Sequence, residues 1–134
     1  MGFEEYQREA EPLYEYEDVV VLLKPGATEL RSWLQEVLAD HQLEVVDTKE
    51  ISFDKEAIRA FYPHAEPQYL PGMVEHFSRE PVVAVHVRGL DALRACSEIK
   101  QEVRAILEVK PPADAIHASD SIEEAKRELE VTGF

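Results

Sequence analysis

Near the end of the chain, Ala115-Ile116-His117-Ala118-Ser119-Asp120-Ser121 runs straight into Ile122-Glu123-Glu124-Ala125-Lys126-Arg127-Glu128-Leu129. Ser121 with Glu124 three positions on is a capping box, so a helix is predicted to start just past Asp120, with Ile122, Ala125 and Leu129 as its apolar stripe. Glu128 borders that stripe. Helical side chains lean toward the N-terminus, which aims the Glu128 carboxylate back at the preceding strand end, where His117 stands. A carboxylate on one ring nitrogen fixes the N–H there and leaves the other nitrogen free as a nucleophile. Ser119 lies beside the pair, and the start of a helix favours an anion such as phosphate. Taken alone, the same pattern also fits an ordinary half-buried histidine.

A second chemical position is Lys24. It follows Asp18-Val19-Val20-Val21-Leu22-Leu23, an apolar, β-branched run that predicts a strand buried on both faces, and Lys24-Pro25-Gly26 ends that run. A lysine at the carboxyl end of a central strand is a usual place for a ligand contact, and equally a usual place for a solvated lysine. No GxxxxGK[ST] or GxGxxG cradle is present, so a phosphate here would be met by side chains and helix ends.

The elements that must position these residues follow from periodicity. Leu30, Trp33, Leu34, Val37 and Leu38 predict a helix over 29–41, and 43–51 returns as a strand centred on Val45 and Val46. Ser52 or Asp54 caps a short helix through Phe61, which breaks at Tyr62-Pro63; a second short helix over 69–77 has Pro71 in its first turn. A third strand over 81–87 is ended by Gly89. Two helical stretches, 91–99 and 102–107, and a loop through Lys110-Pro111-Pro112 lead to the His117 strand. The order predicts an α+β sandwich, helices packed on a four-stranded, mostly antiparallel sheet.

The 134 residues form one domain with enough apolar content, 45%, for a proper core. The organisation is an acidic arm over 1–17, with six glutamates, three tyrosines and no clear period, followed by the domain at 18–134. No apolar run is long enough to cross a membrane, and the acidic start is unlike a signal peptide, so a cytoplasmic protein is expected. Cys96 is the only cysteine, which excludes an intrachain disulfide and a cysteine zinc site. His64, His76 and His86 are at no metal-ligand spacing, so no protein-held metal is expected. The net charge of −14 argues against a nucleic-acid binder.

With these motifs in place, the chain resembles the nucleoside diphosphate kinases. Ala115-Ile116-His117-Ala118-Ser119-Asp120-Ser121 is similar to that family's NIIHGSDS signature. Val21-Leu22-Leu23-Lys24-Pro25 is similar to its first strand, Leu70-Pro71-Gly72-Met73-Val74 to its FFPGLV segment, and Pro81-Val82-Val83-Ala84 to its PVVA strand. Four motifs in order are specific, and they cover 18 to about 129. The resemblance implies a ferredoxin-like fold and ping-pong transfer of a γ-phosphate from a nucleoside triphosphate to a nucleoside diphosphate, with Mg²⁺ on the nucleotide. His117 would be the phosphorylated nucleophile, Glu128 its orienting carboxylate and Ser119 their support. Lys24, Tyr62 and Arg104 would contact phosphates, Tyr69 would stack on the base, and Asp114 stands where the family has asparagine. Phosphoryl transfer asks for alignment and charge neutralisation more than acid–base work, so a fixed imidazole and a few cations suffice.

The chain also departs from the pattern. Between Gly89 and Arg104 it is roughly ten residues shorter by ungapped matching on either side, and the lost part supplies an arginine and a threonine to the phosphates in the family. Arg94 and Lys100 are the candidates to substitute from a neighbouring turn. Ala118 replaces the signature glycine, and Pro111 takes an apolar base-contacting position. Two functions follow as expectations: an active kinase with a compacted nucleotide site, or a nucleotide-binding or regulatory homologue with weak turnover. The expected partners are nucleoside tri- and diphosphates and further copies of the chain, in a homo-oligomer built on a dimer.

Overall fold

A computed structural model of the protein describes residues 16–107 and 115–134. The first part of the expected arm, Pro111 and Asp114 lie outside the described residues. The strands are β1 (Tyr16–Leu23), β2 (Glu44–Ile51), β3 (Val82–Leu90) and β4 (Ile116–Ala118). The helices are α1 (Arg31–Asp40), α2 (Lys55–Phe61), α3 (Leu70–Phe77), α4 (Ala92–Leu107) and α5 (Ile122–Thr132), with 3₁₀ turns at Thr28–Leu30 and Pro67–Tyr69.

The sheet order is β2-β3-β1-β4, and every neighbouring pair is antiparallel. β1 is central and covered on both sides, which is why its residues read as a continuous apolar run rather than an alternation. Its odd positions Val19, Val21 and Leu23 pack with Leu34 and Leu38 of α1 and with Ala92, Cys96, Ile99 and Val103 of α4. Its even positions Val20 and Leu22 pack with Phe53 ahead of α2, Ile58 and Phe61 of α2, Phe77 of α3 and Leu129 of α5. Two layers of helix therefore enclose one sheet, α1 and α4 on one side, α2, α3 and α5 on the other. The α+β, ferredoxin-like sandwich expected from the sequence is the fold observed.

Three boundaries differ from expectation. Tyr16 and Glu17 belong to β1 rather than to the arm, because they pair with Leu90 and Gly89. Gly89 consequently lies inside β3 and does not end it: without a side chain there, Leu43 packs over the strand, and a Cβ would meet Leu43 Cδ2 at 2.5 Å. The two helical stretches at 91–107 are one continuous helix, with Ala92, Cys96, Ile99, Lys100 and Val103 on its buried side. Of the two candidate caps before α2, Asp54 is the one used, its Oδ1 accepting Ala57 N–H at 2.8 Å.

At the end of the sheet where β1 begins, Asp18 Oδ1 accepts from His86 Nε2 at 2.7 Å and from Arg88 Nε at 3.0 Å. Burial on its own would raise the Asp18 pKa, but hydrogen bonds and charge from His86 and Arg88 outweigh it and hold the carboxyl below 3.8. A depressed carboxylate pKa contributes stability that is complete above the unfolded value and is lost as pH falls through the folded one. In urea titrations the stability gap between the parent and Asp18→Asn should therefore be present near neutral pH and close on acidification below 3.8. A gap that stays constant with pH would contradict the shift.

Candidate active site

His117 is the middle residue of the edge strand β4, opposite Leu22 of β1. Directly paired residues share a face, and alternate residues of a strand share it too, so Leu22, Lys24 and His117 all lie on the side of α2, α3 and α5. Ile116 and Ala118 point the other way, into the layer of α1 and α4. The His117 ring is wedged edge-on against Phe61 (centroids 4.7 Å apart, 69° between planes) and Tyr62 (5.6 Å, 81°). These aromatics come from the last turn and C-cap of α2.

The expected reach of Glu128 back along α5 is present. His117 Nε2 lies 2.9 Å from Glu128 Oε1, and Ser119 Oγ donates to the same oxygen at 2.6 Å. A carboxylate only accepts, so Nε2 carries the proton and the lone pair is at Nδ1. Among the described residues Nδ1 takes no hydrogen bond. Glu128 is 1% exposed and Ser119 fully buried. The other carboxylate oxygen, Oε2, is buried without a hydrogen bond among the described residues, and Arg127 Nη2 stands 3.9 Å from it.

Ser119 has a second task. β4 ends at Ala118, and Ser119 extends its ladder to β1 by one more step: its backbone N–H donates to Val20 O at 3.1 Å, while its Oγ accepts Val20 N–H at 3.0 Å. The hydroxyl proton is then available for Glu128. The start of α5 satisfies itself by a variant of the expected capping box, with Glu124 N–H on Ser121 Oγ at 3.1 Å but the Glu124 carboxylate on the N–H of Asp120, one residue before the cap, at 2.9 Å. The helix N-terminus expected to attract phosphate is thus partly occupied by the chain's own groups.

Lys24 continues the β1–β4 pairing, its N–H donating to Ala115 O at 2.9 Å, and is 7% exposed. Its Nζ stands 5.6 Å from the centre of the Tyr62 ring. His117, Glu128, Ser119, Tyr62 and Lys24 are therefore one connected cluster. Tyr69, 55% exposed at the end of its 3₁₀ turn, makes no hydrogen bond or ring contact with that cluster. Arg104 is in the last turn of α4. α4 follows β3 and runs back alongside β1, so it brings Arg104 to the Lys24 end of the sheet, but in the layer on the opposite face. A cleft of about 280 Å³ opens between α2 and the Pro67–Tyr69 turn, with Arg59, Tyr62 and Leu70 among its walls.

Of the two candidates to replace missing phosphate contacts, Arg94 is excluded. It lies in the first turn of α4, ion-paired to Asp91 and Glu98, at the far end of the sheet. Lys100 does reach the signature, with Nζ 3.0 Å from Asp120 Oδ1. From the sequence Lys100 is only a candidate substitute from a neighbouring turn; its place in the buried stripe of α4 with Cys96, Ile99 and Val103 comes from the structure. Arg59, by contrast, gave no sequence signal, since only the folding-back of the chain after Tyr62 creates its cleft. No group of three His, Cys, Asp or Glu among the described residues could hold a metal ion, and no described helix is long and apolar enough to cross a membrane.

Comparison with known proteins agrees with this geometry. Residues 17–132 match the family model for nucleoside diphosphate kinase. A nucleoside diphosphate kinase of Pyrococcus abyssi is 30% identical, the match covering 87% of this chain and 84% of that protein. One of Clostridium perfringens is 28% identical over 86% and 90%. The crystal structure of Aquifex aeolicus nucleoside diphosphate kinase superposes with a TM-score of 0.75 at 27% identity, covering 88% of this chain and 95% of that one. The Encephalitozoon cuniculi enzyme, at 22% identity and a TM-score of 0.74, shares the fold. With a family model matched from the first strand to the last helix and the His117–Glu128–Ser119 cluster in place, the chain belongs to the nucleoside diphosphate kinase family.

Proposed function

We propose that the chain is an active nucleoside diphosphate kinase that carries the transferred phosphoryl group on His117 Nδ1. The observation that supports this most directly is the fixed ring: Nε2–H on a buried carboxylate at 2.9 Å and an Nδ1 that makes no hydrogen bond among the described residues. In the first half-reaction the Nδ1 lone pair attacks the γ-phosphorus of a nucleoside triphosphate. The bond from that phosphorus to the β–γ bridging oxygen breaks, and the diphosphate leaves with its electron pair. The ring becomes cationic, and Glu128, held in place by Ser119, stabilises that charge without taking the Nε2 proton. In the second half-reaction a terminal oxygen of another diphosphate attacks the same phosphorus, the N–P bond breaks, and the ring returns to neutral.

Lys24 and Arg104 neutralise the phosphates, Tyr62 backs the ring, and Tyr69 offers a stacking face for the base. Mg²⁺ arrives on the nucleotide as part of the substrate. The chain works in the cytoplasm and as a homo-oligomer built on a dimer. The competing reading, a nucleotide-binding or regulatory homologue with weak turnover, draws support from the continuous helix α4, which occupies part of the stretch where the family supplies two further phosphate contacts.

A phosphoramidate is acid-labile and base-stable, unlike a serine ester. Incubation with γ-labelled ATP and Mg²⁺ should give acid-labile label on the parent, none on His117→Ala, and release of that label by GDP or CDP. Label that no diphosphate removes would favour the regulatory reading, and no label at all would end the kinase reading. Lys24→Ala should slow labelling on the order of a hundredfold, because removing a cation from developing charge costs a few kcal/mol; an unchanged rate would remove Lys24 from the site. Light scattering should return at least a dimer mass, and a monomer mass would contradict the assembly.

A further inference from the structure

Lys100 is 6% exposed, and its side chain is placed among the aliphatic residues of the buried side of α4. Among the described residues its single polar partner is Asp120, whose side chain is 62% exposed and solvated. As a stabilising device this is a poor arrangement. Burying an ammonium carries a desolvation penalty that one exposed carboxylate offsets weakly, and an apolar side chain of similar length at such a position is often neutral or stabilising. Stability therefore gives little reason for a lysine here.

The location supplies a reason. Asp120 directly follows Ser119, whose hydroxyl sits on the Glu128 oxygen that holds His117. β4 is an edge strand, so beyond it no further strand separates the layer of α4 from the layer of α5. Lys100 Nζ, 3.0 Å from Asp120 Oδ1, reaches the turn that begins α5. We infer that Lys100 is a phosphate-binding residue of this site, held toward the β4–α5 turn by Asp120 until a nucleotide phosphate takes the carboxylate's place as its partner. The inference rests on the nucleotide-binding function proposed above and adds a cation to it. The ligand chemistry is the terminal, doubly charged part of a nucleoside di- or triphosphate, which Asp120 mimics as an anion in its absence.

Lys100→Met fills the same slot without the charge and leaves Asp120 in solvent, so no buried charge is stranded. Calorimetric titration should show ADP with Mg²⁺ binding Lys100→Met about tenfold or more weakly than the parent, with AMP binding unchanged and the melting temperature not lowered. Lys100→Arg should retain most of the ADP affinity. Asp120→Asn, which removes the competing carboxylate and keeps the lysine, should bind ADP at least as well as the parent. Parental ADP affinity in Lys100→Met, an equal loss for ADP and AMP, or weakened ADP binding in Asp120→Asn would each overturn the assignment and leave the pair as a tie between α4 and the turn. If Lys100→Met loses its fold, Asp120→Asn still decides. The kinase reading fails separately, when the parent binds ADP but takes no acid-labile label.

Discussion

The site depends on one buried carboxylate. Glu128 is taken almost fully out of water, and such a group is tolerated only when donors meet it. Oε1 takes two, the imidazole N–H of His117 and the hydroxyl of Ser119, so desolvation strengthens both contacts. Each partner is itself held elsewhere: the ring by Phe61 and Tyr62, the serine by Val20 of the central strand. The histidine is consequently oriented by four elements at once, β1, β4, α2 and α5. Orientation of this kind is what a nucleophile needs if no rearrangement is to accompany phosphoryl transfer.

The helix that carries Glu128 is secured at both ends. Its start is closed by Ser121 Oγ, which accepts Glu124 N–H, and by the Glu124 carboxylate, which accepts Asp120 N–H. Its end is a left-handed glycine, Gly133 with φ of 76°, after which Phe134 N–H returns to Leu129 O at 2.9 Å. Lys49 of β2 donates to Gly133 O and stands over the Phe134 ring, while His86 of β3 packs against that ring. The turn therefore fastens α5 to the two strands farthest from β4. The position of one carboxylate is thus shared across the whole sheet.

Much of this was legible in the sequence, for reasons that differ by residue. The helix start signalled at Ser121 and the backward lean of helical side chains set the direction in which Glu128 must point, and a five-residue apolar run announced a central strand. Boundaries failed where tertiary contacts override local signals: Gly89 reads as a stop, but in the sheet it is the space that Leu43 fills. The single helix α4 was split because Lys100 and Gln101 interrupt its apolar pattern, and the lysine's place in the buried stripe emerges only once the helix is laid against β1. Tyr69 and Arg104 were named through family resemblance alone, and nothing in their local sequence says how they lie relative to His117.

The bond from Val20 N–H to Ser119 Oγ joins residues 99 positions apart. Closing so long a loop is entropically opposed, and a sheet whose first strand must wait for its third and fourth is rich in such distant pairings. Helices α1 and α4 can form from nearby residues, whereas the ring–carboxylate contact exists only after the sheet has closed around β1. During refolding, helical signal will therefore rise ahead of catalytic competence, and the interval between the two measures the time the chain takes to bring its ends together.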